Sequence, residues 1–118
     1  MRVTQLALVM ALIGITGAQA SFKSGNDLLS DCGQKDSLHL GECLGYVTGV
    51  ADSIDGPMKY SAQLKKGVIV RPRACLRDGV TAGQVRDVVV NWLEENPQLR
   101  DMSANSAVEF ALSQAFPC

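Results

Sequence analysis

The sequence has little of what an enzyme active site needs. Its 118 residues include a single histidine, His39, and its four cysteines form no C-x-x-C pair. No glycine-rich phosphate loop follows a predicted strand, and no pair of carboxylates has an evident acid-base or metal-binding partner. We therefore expect no catalytic residue, no metal and no cofactor, and we place the protein among binding proteins rather than enzymes.

Long apolar runs are scarce as well. The only one, Leu6 to Ile15, follows the positive charge of Arg2 and precedes Ala18-Gln19-Ala20, the small-x-small pattern that signal peptidase cleaves. The run is too short to span a bilayer comfortably. We predict a signal peptide over residues 1–20, cleaved after Ala20, and a single exported domain over residues 21–118 with no membrane anchor. An uncleaved N-terminal anchor is the alternative.

An excess of positive charge is also missing. The chain carries 11 basic and 12 acidic residues, and loss of Arg2 with the signal peptide leaves a net charge of about −2. This balance argues against general nucleic-acid binding. Six of the basic residues nevertheless fall between Met58 and Arg77 with no acid among them, a stretch that we call the basic segment. They are Lys59, Lys65, Lys66, Arg71, Arg73 and Arg77.

The clearest helix runs from Thr81 to Pro97. Thr81 and Gln84 have the spacing of a capping box, and Pro97 ends the helix because it forbids the helical conformation to the residue before it. Between them, apolar residues recur at i, i+3, i+4, i+7 and i+8. They are Val85, Val88, Val89, Trp92 and Leu93.

Three further stretches have helical periodicity. The first starts at the candidate cap Ser24 and ends near Gly33, and the second starts around Ser37 and ends at Asp55-Gly56-Pro57. The last starts at Ser103 or at Ser106 and ends at Pro117. Met58 to Ala74 has no clear periodicity; Val68 to Val70 could form a short strand without a partner, so we expect a long loop that is either functional or merely solvated.

The second helix carries a row of glycines, Gly41, Gly45 and Gly49, at four-residue intervals. Each costs about 1 kcal/mol of helix propensity relative to alanine. A row of glycines lets another helix approach closely, so we interpret it as a close-packing face. The neighbour is either another helix of the same chain or a second copy of the protein.

Helix geometry selects a pairing for the four cysteines. An even number in a small exported chain favours disulfides over a zinc site, which would need four sulfurs at unpatterned positions. Cys32 lies at the end of the first helix and Cys43 in the first turns of the second. Cys75 precedes the third helix and Cys118 follows the last. Antiparallel helices bring these ends together, so we predict Cys32 with Cys43 and Cys75 with Cys118. The fold class is therefore all-α, a small disulfide-stapled bundle of about four helices.

Five blocks in a fixed order also resemble a known family. They are Phe22 to Leu29 with Cys32; Cys43 to Asp52; Cys75-Leu76 leading to Gly79-Val80-Thr81; Trp92 to Pro97; and Ala111-Leu112 with Phe116-Pro117-Cys118. They resemble the Rap/Tai-type immunity proteins of type VI secretion over nearly all of the exported chain except Met58 to Ala74. The resemblance implies a periplasmic helical protein that blocks a peptidoglycan amidase injected by another cell, in a family whose members are often homodimers.

An inhibitor of this kind needs contact residues rather than catalytic ones. We expect the basic segment to supply them, because a protruding charged loop steers a protein onto an oppositely charged surface. The candidates are Tyr60, Lys65, Lys66, Arg71 and Arg73. Two alternatives stay open: a small periplasmic chaperone or stress protein, and an envelope structural protein with no dedicated toxin partner.

Overall fold

Four helices make up the part of the chain that the structure describes. A computed structural model describes residues 22–55 and 73–118, and within these ranges it contains no strand. The helices are α1 (Gly25–Gly33), α2 (Ser37–Ile54), α3 (Ala82–Glu95) and α4 (Ala104–Ala115), with a 3₁₀ turn at Pro97–Leu99. The predicted all-α class is confirmed. The predicted signal peptide and the possible strand at Val68 to Val70 lie outside the described residues.

Helix α3 begins and ends where its sequence predicts. The N–H of Thr81 donates to Oε1 of Gln84 over 2.8 Å, and the N–H of Gln84 donates to Oγ1 of Thr81 over 3.2 Å. At the other end, both the backbone N–H and the side-chain amide of Asn96 donate to the carbonyl of Trp92, at 3.0 and 2.8 Å. Pro97 then opens the 3₁₀ turn instead of extending the helix.

The other helices also begin at capping side chains. Ser24 and Asp27 form a second capping box on α1. Asp36 caps α2 by accepting the N–H of His39 over 3.1 Å, a role that the sequence analysis did not assign. Of the two possible starts for α4 the structure uses Ser103, whose hydroxyl accepts the N–H of Ser106. Each cap satisfies a backbone donor that a first turn leaves unpaired.

The core lies between all four helices, each of which contacts the other three. Its largest fully buried side chains come from every helix: Leu28, Val47, Val89, Leu93, Val108 and Leu112. Among the described residues no buried side-chain nitrogen or oxygen lacks a hydrogen-bond partner. The apolar stripes of the sequence therefore meet in one core.

Two disulfides hold the helix ends together in the predicted pairing. Cys32 and Cys43 link the end of α1 to α2, with their Cα atoms 5.1 Å apart. Cys75 and Cys118 link the chain ahead of α3 to the chain beyond α4, with their Cα atoms 4.9 Å apart. All four cysteines are in these two disulfides, so the described residues contain no free thiol.

The start of α1 packs directly on the connection between α3 and α4. The N–H of Gly25 donates to the carbonyl of Met102 over 2.9 Å, and the N–H of Asn26 donates to that of Arg100 over 2.8 Å. A Cβ at Gly25 would lie 2.9 Å from the Arg100 carbonyl oxygen and 3.0 Å from Cδ2 of Leu93. Only glycine fits this close approach without displacing its neighbours.

Candidate partner-binding surfaces

The two ends of residues 56–72 are held side by side on the bundle. The carbonyl of Ile54 accepts the N–H of Arg73 over 3.1 Å and that of Ala74 over 3.2 Å. The side chain of Asp55 accepts the N–H of Leu76 over 2.7 Å, and Ala74 is fully buried. The chain thus leaves the end of α2 and returns to the same place.

The returning chain is tied to the C-terminus as well. Besides the disulfide from Cys75 to Cys118, the N–H of Cys75 donates to the carbonyl of Phe116 over 2.9 Å. The guanidinium of Arg77, the last cation of the basic segment, lies 5.9 Å from the centre of the Phe116 ring. This distance is within the range of a cation–π contact. Backbone, disulfide and cation–π contacts together fix the chain as it leaves the basic segment.

Of the five predicted contact residues, only Arg73 lies among the described residues. Its Nη1 is 3.1 Å from Oε2 of Glu109 on α4, and 55% of its side chain stays exposed. An exposed ion pair of this kind contributes at most about 1 kcal/mol, so Arg73 can exchange Glu109 for a partner's carboxylate at little cost. Its contact role remains a prediction, as do the roles of Tyr60, Lys65, Lys66 and Arg71.

The glycine face of α2, made by Gly41, Gly45 and Gly49, is exposed. A Cβ built on any of the three meets no atom within 4 Å outside the helix. Another helix of the described chain therefore does not make the close approach that the sequence allowed. Leu38 lies on the same stripe, and 68% of it is exposed.

A shallow groove of about 280 Å³ lies between α3 and α4. Val88, Asn91, Trp92 and Glu95 of α3 line it together with Ala111, Gln114 and Ala115 of α4. The ring of Trp92 also stacks on that of Phe110, with ring centres 6.3 Å apart, and Phe110 is half exposed. A concave apolar strip is thus bordered by amide and carboxylate side chains.

Comparison with known proteins assigns the chain to a family. The model of a family described as Rap1a immunity proteins matches residues 24–118, which include all four helices and both disulfides. This protein belongs to the Rap1a immunity protein family. The family resemblance drawn from the five sequence blocks is therefore confirmed. Neither the curated proteins nor the solved structures contain a match.

Two pairs of titratable side chains with shifted pKa values lie in or beside α1 and α2 of this Rap1a family member. The hydrogen bond from Nδ1 of His39 to Asp36, at 2.8 Å, raises the pKa of His39, while the backbone N–H of His39 is the main cause of the lowered pKa of Asp36. Lys23 pairs with Asp31 on α1, and this hydrogen bond raises the pKa of Lys23. These pairs fasten turns to helices and do not converge on a cleft.

The described residues offer neither a cluster of metal-binding side chains nor a helix that could span a membrane. Within residues 22–55 and 73–118, no three histidine, cysteine, aspartate or glutamate side chains gather as they would around a metal ion. None of the described helices is both long enough and apolar enough to cross a membrane. Three surfaces of the described residues remain candidates for binding a partner. They are the two ends of residues 56–72 on the bundle, the glycine face of α2 and the α3–α4 groove.

Sequence analysis missed three contributors to these surfaces. Asp55 marks the end of α2 in the sequence, yet its carboxylate also braces the returning chain. Glu109 pairs with Arg73 across 36 positions, a separation that no local pattern reveals. The groove at Trp92 had one usable signal: Phe110 stands at the edge of the apolar stripe of α4, where a large exposed aromatic ring is uncommon.

Proposed function

We propose that this Rap1a family member is a periplasmic immunity protein that binds and blocks a type VI secretion effector, a peptidoglycan amidase. The family match over residues 24–118 carries the proposal. Export fits a chain that places all its cysteines in two disulfides, because such bonds persist in an oxidising compartment. The protein acts by binding alone and needs no catalytic group.

The basic segment is the contact surface in this proposal. Its base is closed by Ile54, Asp55 and Ala74, and its exit is fixed by the disulfide at Cys75. A loop whose ends are already fixed loses less conformational entropy when it binds than a free chain does. Its cations speed association with a negatively charged rim around the effector's active site.

The experiment measures hydrolysis of purified cell-wall sacculi by a type VI amidase effector while the protein is titrated in. We expect stoichiometric inhibition by the disulfide-bonded protein. The double charge reversal Lys65→Glu/Lys66→Glu should slow association by ten-fold or more at low salt, and less at high salt, because salt screens such steering. Lys35→Glu is the matched control for the single reversals Lys65→Glu and Lys66→Glu, because each changes the net charge by the same amount and Lys35 is exposed and lies outside the basic segment.

Three outcomes separate the alternatives. Equal slowing by Lys35→Glu would mean that net charge matters rather than the basic segment. If neither the wild-type protein nor any variant inhibits the amidase, and the wild-type protein suppresses the aggregation of unrelated unfolded proteins, the result would favour a chaperone. Full activity of the amidase at saturating wild-type protein refutes the proposed target.

Export has its own test. The periplasmic fraction should contain a protein that begins at Ser21 and whose intact mass shows two disulfides. A protein that keeps residues 1–20 and fractionates with membranes would instead support the uncleaved anchor.

A second copy of the chain is also a proposed partner, and it would pack against the glycine face of α2. Three exposed glycines lower helix propensity with no neighbour in the described chain that uses the space, and the exposed Leu38 continues their stripe. The α2 helix of a second copy would cover the three glycines and Leu38. Gly45→Leu should shift the protein from dimer to monomer in sedimentation equilibrium, whereas Gly33→Leu, at an equally open glycine outside the face, should not. A wild-type monomer at concentrations of hundreds of micromolar refutes the dimer.

A further inference from the structure

The α3–α4 groove has the size and lining of a site for one long side chain. Its volume of about 280 Å³ lies just under the range of ~300–1,000 Å³ typical of pockets for small molecules. Val88, Trp92, Ala111 and Ala115 give it an apolar strip. Asn91, Glu95 and Gln114 add the polar groups. Such a groove accommodates a side chain that is apolar along its length and polar at its tip.

The charge of the groove determines which charge the polar tip of a bound side chain should carry. Glu95 is the only charged residue in the lining, and it forms no ion pair with any described residue. Three described arginines have other contacts: Arg86 pairs with Asp87, Arg100 donates to the carbonyls of Leu93 and Glu94, and Arg77 lies over the ring of Phe116. Within residues 22–55 and 73–118, the Glu95 carboxylate in the groove is therefore without a paired cation.

The polar groups are also placed to act together. Asn91 and Glu95 are four residues apart, so they follow one another on the same side of α3, and Gln114 faces them from α4. Each offers an oxygen that accepts hydrogen bonds, and a carboxylate offers nothing else. A ligand with several N–H donors on a positive head satisfies all three, whereas an anion is repelled by Glu95.

We propose that this groove binds the side chain of one lysine or arginine presented by a protein partner. The aliphatic stem lies along the apolar strip beside Trp92, and the positive head reaches Glu95 and the two amides. A purely apolar side chain would cover the same strip but would take water from the Glu95 carboxylate without replacing its hydrogen bonds.

The groove lies on a different side of α4 from Arg73, a described cation of the basic segment, and its charge is opposite in sign. Glu109, which holds Arg73, and Gln114 are five residues apart on α4, which places them about 140° apart around the helix. A partner that engages both surfaces must carry negative charge where it meets the basic segment and a protruding cation where it meets the groove. The inference itself does not depend on the partner being an amidase.

Blocked amino acids test the inference without any partner in hand. N-acetyl-arginine methylamide and N-acetyl-lysine methylamide are the cationic probes, and N-acetyl-norleucine methylamide has a similar stem without the charge. Trp92 is the only tryptophan, so its fluorescence and indole N–H resonance report on the groove. We expect saturable shifts with Kd on the order of 10 mM, and at least five-fold weaker binding of the norleucine probe.

Two variants complete the design. Glu95→Gln removes the charge from the groove and should weaken arginine binding at least five-fold, whereas Glu94→Gln changes a carboxylate that is not in the lining and should leave it unchanged. Circular dichroism shows whether both variants keep the wild-type fold. Equal binding of norleucine, an unchanged Kd in Glu95→Gln, or no saturable shift up to about 100 mM probe overturns the proposal. Amidase inhibition that persists in any of these cases leaves the proposed function standing.

Discussion

Gly25→Ala tests the docking of α1 on the connection between α3 and α4. The new methyl group would lie 2.9 Å from the Arg100 carbonyl oxygen and 3.0 Å from Cδ2 of Leu93. Neither neighbour moves easily. The carbonyl is held by the N–H of Asn26, and Leu93 is fully buried in the core.

The magnitude follows from two opposing effects. Forcing an extra methyl group into a packed site costs about 1–3 kcal/mol. Replacing glycine lowers the entropy of the unfolded chain and returns about 0.4–1 kcal/mol. The net loss in the free energy of unfolding is thus about 0–2.6 kcal/mol, with a middle value of about 1 kcal/mol that would lower Tm by roughly 4–8 °C in a domain of this size.

Gly45→Ala is the matched control because it is the same substitution at an open site. A Cβ there meets nothing within 4 Å, and Gly45 lies in the interior of α2. Alanine should therefore raise helix stability by up to about 1 kcal/mol. Urea unfolding of both variants at low protein concentration measures the intramolecular effect. A Gly25→Ala protein that is stabilised as much as the Gly45→Ala protein would refute the close approach of α1 to Arg100 and Leu93.

Three further outcomes are expected. Cys75→Ala/Cys118→Ala opens a loop with a sequence separation of 43, and the chain-entropy relation puts the loss of unfolding free energy at about 4 kcal/mol; a loss below about 1 kcal/mol in urea unfolding contradicts it. Thr81→Ala should cost about 1 kcal/mol through the lost cap of α3, Thr81→Ser should cost much less, and equal losses would exclude capping as the cause. Asp36 raises the pKa of His39, so the stability that charged His39 contributes is complete below the unfolded pKa of about 6.5 and is lost as the pH rises through the folded value. NMR titration should show a lower His39 pKa in Asp36→Asn, and the stability gap between this variant and wild type should narrow from about pH 6 to pH 8; an unchanged pKa contradicts the pairing.

Local chemistry made the helices predictable. The capping boxes at Ser24 and Thr81 each involve residues three apart, so the sequence contains both partners. Apolar spacing of 3.6 residues then fixed which faces enter the core. The disulfide pairing followed from helix lengths, because antiparallel helices of similar length place their outer ends together.

The surfaces depend on contacts between distant residues, and these have no local signature. Asp55 reaches Leu76 across 21 positions, and nothing near either residue indicates that contact. A row of glycines has the same spacing whether its neighbour belongs to the same chain or to another molecule. The sequence therefore predicts the glycine face of Gly41, Gly45 and Gly49, but it does not predict that this face is exposed.

The position of the second disulfide connects stability to binding. The bond from Cys75 to Cys118 lies beside the bonds that hold Arg73 and Ala74 against Ile54. Opening it would remove the covalent link between the C-terminus and the returning chain and leave their hydrogen bonds, so the two ends of residues 56–72 would be held less tightly. Because a looser loop pays more entropy on binding, the reduced protein should bind its partner more weakly even where its helices persist. Reduction of this disulfide is thus expected to weaken binding as well as to lower stability.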